Sequence, residues 1–215
     1  MSMIVGTIVA VAVAAEVLYT AVQWLRERWG NRTVAPSTLC TAEMSETDQK
    51  MQTETVEIVH EVFGEDINES IQELSASERL EKVELLTEQL KEAYDVDVNV
   101  EFFGENRNYC GYYNYKDNTL SLNVADLLSK NIENVYEFIN TVIHELRHAV
   151  QWKAIQEEDF WEIDDQRKIS WINNFADYIT AQIDPKGYAL QPVEVDARTF
   201  AAGCLKGVIE NECEA

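Results

Sequence analysis

Residues Thr141–Gln151 read TVIHELRHAVQ, and the way this stretch folds decides the rest of the chain. Apolar side chains recur at Val135, Phe138, Ile139, Val142, Ile143, Leu146, Ala149 and Val150. That is the rhythm of an amphipathic helix with one broad buried stripe. On such a helix His144 and His148 project from one face, one turn apart, so their imidazoles can share an ion. Glu145 sits beside that face, where its carboxylate can reach a metal-bound water. Two neutral nitrogen ligands, an open position and a base beside the water are what a hydrolytic zinc site needs. The chain has 3 histidines, and the spacing assigns two of them to this role.

Two histidines leave such a site incomplete, because three protein ligands plus water is the usual catalytic set. No histidine follows His148, so the third ligand is expected to be one of the acids downstream: Glu157, Glu158, Glu162, Asp177, Glu194 or Asp196. The first three follow the motif too closely for the chain to fold back easily. Glu194 is better placed, early on a helix that Pro192 can open and whose core side holds Val193, Ala197, Phe200, Ala201 and Leu205. Asp196 stays open as the ligand, since carboxylates of either length bind zinc. The metzincin extension needs glycine at Gln151 and histidine at Ala154, and is excluded. Tyr188 is a candidate to stabilise a developing oxyanion, with packing at the helix entry as the alternative. Arg147 is expected as an exposed ion-pair partner of one of the many acids, with a substrate contact as the alternative.

Ahead of the motif, Val96–Phe103 alternates with a period of two and predicts a strand. Tyr109–Tyr115, a turn at Lys116-Asp117-Asn118, and Thr119–Asn123 predict a hairpin with Leu120 and Leu122 on one face. Tyr112, Tyr113 and Tyr115 are either hairpin packing or the lining of a groove. Ser75-x-x-Glu78 is a capping box that introduces a helix to about Tyr94, and Ser45-Glu46 opens another to about Phe63. Behind the motif, Glu157–Ile183 predicts one or two helices and Pro185-Lys186-Gly187 a turn.

HELRHAVQ followed by QPVEVDARTFA resembles small gluzincin-type zinc peptidases, whose second helix carries E-x-x-A-x-x-F-A. Glu194, Ala197, Phe200 and Ala201 match that pattern. The resemblance covers about residues 97–205. It implies a zincin fold, one Zn2+ and hydrolysis of peptide bonds in a peptide or protein substrate. It also implies a sheet edge running beside the metal, able to pair with an extended substrate. The departure is Arg198, where many gluzincins have an aspartate bonded to a metal-binding histidine; Asp196 or Asp177 is expected to supply that contact. The fold class expected is therefore α+β: a small sheet ahead of the motif helix in a zincin-like domain over 46–215. A catalytically silent zincin used as a binding module in a membrane or protein complex is the alternative. An intact Glu145 speaks against it, because a binding module has no need of that base.

The remaining chain divides into 1–30 and a linker at 31–45 that lacks periodicity and contains Pro36. Met3–Leu25 is apolar enough to span a bilayer, and the arginines after it favour a cytoplasmic body. Glu16 inside the run counts against a simple span and leaves a helix buried against a partner open; a secretion signal ranks last, because no basic residue precedes the run. The formal charge of −22 repels phosphate backbones, which argues against a nucleic-acid partner. Cys40, Cys110, Cys204 and Cys213 form no C-x-x-C pair, so a cysteine zinc site is unsupported.

Overall fold

A computed structural model describes residues 44–104, 110–125, 127–129 and 131–214. The expected apolar helix over 1–30, and nearly all of the 31–45 linker, lie outside these residues. Among the described residues, no helix is long and apolar enough to cross a membrane. The architecture is α+β, mostly helical with one three-stranded sheet. It divides into two compact units: the described parts of 43–153 with 195–215, and 154–194.

The larger unit opens with helices α1 (Glu46–Phe63), α2 (Ile67–Glu73) and α3 (Ala76–Ala93). Their beginnings are written in the sequence. The Ser45 hydroxyl accepts from the Asp48 amide, and Asp66 caps α2 through the Glu69 amide. Ser75 and Glu78 close a reciprocal capping box on α3. Helix α2 has no counterpart in the sequence reading, because one short turn offers only Ile67 and Ile71 to the core. Asp95, at φ 53°, turns the chain out of α3.

The sheet follows as β1 (Asn99–Phe103), β2 (Gly111–Asn114) and β3 (Thr119–Asn123). The order is β1-β3-β2, with β1 parallel and β2 antiparallel to β3. The β2–β3 hairpin thus forms as expected, and β1 is shorter than Val96–Phe103. Val96 and Val98 are buried but precede the ladder. As the central strand, β3 is enclosed on both faces: Ser121 and Asn123 are buried along with Leu120 and Leu122.

Helix α4 (Ile132–Gln156) carries the motif, and all eight residues of its predicted apolar stripe are buried. Strand β2 lies hard against it. A Cβ on Gly111 would stand 2.9 Å from Thr141 Cγ2 and 3.0 Å from the Ser121 carbonyl oxygen, so only glycine permits this approach. Helix α7 (Pro192–Glu214) supplies Ala197, Phe200, Ala201, Cys204 and Val208 to the core of the larger unit. Leu205, expected on the core side, is half-buried instead, and Cys204 takes the inner position.

The smaller unit holds a 3-10 turn at Phe160–Glu162, helix α5 (Asp165–Ala176) and helix α6 (Pro185–Leu190). The expected turn at Pro185-Lys186-Gly187 is the first turn of α6. Asp184 caps it through the Lys186 amide, and Pro185 suits the first helical position. Gln191 then pins the chain leading into α7. Its amide donates to the Ile179 carbonyl at 2.9 Å and accepts from the Ile179 amide at 3.1 Å. Asn174 Oδ1 accepts from the Val193 amide at 3.0 Å. These bonds fix the backbone on which Glu194 sits.

Candidate metal centre

His144 and His148 lie on one face of α4, with ring centroids 4.7 Å apart and planes at 88°. Their Nε2 atoms are 3.1 Å apart. Two Zn–N bonds of about 2.0–2.1 Å at a tetrahedral angle place their nitrogens about 3.3 Å apart, so the pair fits one zinc ion with little movement. Among the described residues, His144, Glu145 and His148 form a group whose ligand atoms all lie within 4.8 Å of one another. His148 is buried, while His144 and Glu145 are half-buried.

Glu145 Oε2 accepts from the Tyr113 amide at 2.8 Å. Strand β2 pairs with β3 along its other edge, so this amide is one the sheet leaves over. Glu145 thus touches the strand edge directly. Tyr113 itself packs inward, its hydroxyl donating to Asn118 Oδ1 at 2.8 Å. Burial first, then the nearby Asp117, raises its pKa well above the ordinary phenol range. Tyr115 lies against Trp152, with centroids 4.7 Å apart. Of the three tyrosines that were groove candidates, Tyr112 is the exposed one.

Behind the histidines, the structure departs from the sequence reading. Arg147 is fully buried, not an exposed ion-pair partner. Its Nη2 donates to Asp48 Oδ1 at 2.7 Å, its Nε to Asp196 Oδ2 at 2.9 Å, and its guanidinium lies 4.4 Å from the Phe200 ring centroid. Asp196 also accepts from Gln151 Nε2 at 2.7 Å, and Gln151 Oε1 stands 2.8 Å from His148 Nδ1. These donors engage the Asp196 carboxylate, which disfavours it as a metal ligand. It reaches a motif histidine through a glutamine rather than directly. The sequence held one signal for this: Gln151 lies three residues beyond His148, on the same helical face. Nothing local links Asp48 or Asp196 to Arg147, because the pairs are 99 and 49 residues apart.

Glu194 belongs to the smaller unit. It is 1 % exposed, and its Oε1 accepts from the Tyr178 hydroxyl at 2.6 Å. Tyr188, on α6, is half-buried, and its ring stands edge-on to that of Tyr178 at 6.3 Å. The tyrosine bonded to the proposed third ligand is therefore Tyr178, which the sequence reading gave no chemical role. Asp177 ends α5, its amide bonded to the Asn173 and Asn174 carbonyls. Set against known proteins, the chain matches no family model, no curated protein and no solved structure.

Proposed function

We propose that this protein is a zinc-dependent metallopeptidase of zincin type, with Glu145 as general base and His144, His148 and Glu194 as the protein ligands. The observation that carries this reading is the pair of imidazole nitrogens 3.1 Å apart with a carboxylate beside them. A bound zinc supplies Lewis acidity and lowers the pKa of its water to about 7. The chain does the rest. Glu145 stands where it can take a proton from an attacking water and return it to the leaving amine. The Tyr113 amide orients the Glu145 carboxylate before substrate arrives. The outer edge of β2, apart from the Tyr113 amide that Glu145 takes, offers main-chain groups to an extended peptide. Tyr188 remains the proposed oxyanion donor, and its half-buried position is compatible with that role.

Glu194 is the proposed third ligand because the site needs another donor and no histidine follows His148. Its burial on a helix pinned by Gln191 and Asn174 suits a ligand that must hold still. Asp196 is the poorer choice, with its oxygens already taken by Arg147 and Gln151.

The reading is tested by zinc content and peptidase activity together. The purified protein should hold about one zinc per chain, and His144→Ala, His148→Ala and Glu194→Ala should each lose it. Glu145→Gln should keep the zinc and lose cleavage of a peptide library. A full metal complement in both histidine variants ends the zinc-site reading. Zinc without any activity in the parent protein leaves a silent binding module.

A further inference from the structure

We propose that Gln151 is a positioning residue that fixes the proton of His148 on Nδ1 and so presents a bare Nε2 to the site. The value of this to the protein rests on reading His144 and His148 as metal ligands, but the proton's position follows from hydrogen-bond logic alone.

The chain of inference begins at Arg147, whose guanidinium can only donate. It donates to Asp196 Oδ2 through Nε at 2.9 Å and to Oδ1 through Nη2 at 3.4 Å. Paired this way, Asp196 is a carboxylate and can only accept. The end of the Gln151 amide lying 2.7 Å from Asp196 Oδ2 must therefore be its NH2. That leaves the amide oxygen facing His148 Nδ1 at 2.8 Å, and an amide oxygen also only accepts. Nδ1 must then be the protonated nitrogen. His148 Nε2 stands 3.1 Å from His144 Nε2, a distance at which two protonated nitrogens would repel. With a single proton on His148, already placed on Nδ1, its Nε2 is bare and accepts from His144 Nε2. Arg147, Gln151 and His148 are all buried, so water does not scramble the order.

A glutamine suits this position better than a second carboxylate. It transmits the acceptor polarity of Asp196 to the imidazole without placing a negative charge beside another one. In its neutral form His148 is thereby held in the tautomer that leaves Nε2 available as a ligand.

The test uses the full chain, stripped of metal and labelled with 15N histidine, at a pH about 1.5 units above the ordinary imidazole value of about 6.5. Long-range proton–nitrogen spectra, with resonances assigned through His60→Gln and His144→Gln, should show His148 protonated at Nδ1 and bare at Nε2. Gln151→Met keeps side-chain length and removes the amide; it should release His148 into a mixture containing the Nε2-protonated form. Zinc affinity, read by competition with a coloured chelator, should fall about 10–100-fold in the same variant. A parent protein with the His148 proton on Nε2 overturns the proposal, and needs no variant to do so. A weaker affinity with the tautomer unchanged also overturns it, because Gln151 then serves packing alone. So does a changed tautomer with affinity unaltered. If the parent protein takes up no zinc, the peptidase reading fails, and the tautomer spectrum still decides the role of Gln151.

Discussion

A guanidinium with no exposure can sit where Arg147 sits because Asp48 and Asp196 meet it from two helices. Burial drives its pKa down, the two carboxylates drive it up, and the carboxylates prevail. Removing the cation strands both acids, one of them 4 % exposed. Arg147→Met should therefore cost about 3–5 kcal/mol, the cost of breaking a buried ion pair from one side. Urea titration checks this, and a loss under about 1 kcal/mol would mean that water reaches the acids. Cys204 gives a second expectation at this scale. Burial pushes its thiol up to about 12, against about 8.5 for an unfolded cysteine. Between those values the unfolded chain has given up the proton and the folded chain has kept it. The thiol's contribution to stability is therefore complete below about pH 8.5 and is lost as pH rises toward 12. In the native state an alkylating reagent should label half-buried Cys110 and spare Cys204 until the protein unfolds, as mass spectrometry after short pulses will show.

At the scale of elements, the contact between β2 and α4 sets the geometry around Glu145. Gly111→Ala forces a methyl into Thr141 and the Ser121 carbonyl, so it should destabilise the protein by about 1–3 kcal/mol. It should also loosen the bond from the Tyr113 amide to Glu145, seen as faster hydrogen exchange at that amide. Unchanged exchange would separate the glycine from the site. The helices themselves were legible wherever a cap and a periodic stripe coincide. Ser45 and the Ser75–Glu78 box announce α1 and α3 nearly to the residue, and the stripe from Val135 to Val150 announces α4 without its ends at Ile132 and Gln156. Helices α2 and α6 were not legible as helices, since seven and six residues carry too little periodicity to register. The parallel pairing of β1 with β3 was hidden as well. Alternation marks a strand but not its neighbour or its direction.

Across the whole molecule, charge is the dominant long-range term. The chain carries −22, and the three arginines of 1–42 outnumber the two glutamates there, so the acid surplus lies in the remainder. Self-repulsion of this kind weakens a compact state and is screened by salt over a Debye length of about 10 Å at 0.1 M. The melting temperature should rise as sodium chloride goes from about 0.01 to about 0.5 M, by scanning calorimetry; a flat response would mean the acids are already neutralised locally. How much of the candidate site was legible follows the same divide between near and far. His144, Glu145 and His148 were readable because a helix brings them together by itself. Asp196 was named as a candidate, but its bond to Arg147, and the whole part of Asp48, were not readable, because only the completed fold joins them. That separation along the chain has a consequence during synthesis. When Arg147 leaves the ribosome, Asp48 has already been made, but Asp196 is still 49 residues from being made. Until it arrives, Gln151 has no carboxylate to orient it, and His148 has no fixed tautomer. The order in which these side chains come together is therefore set by when α7 packs against α4.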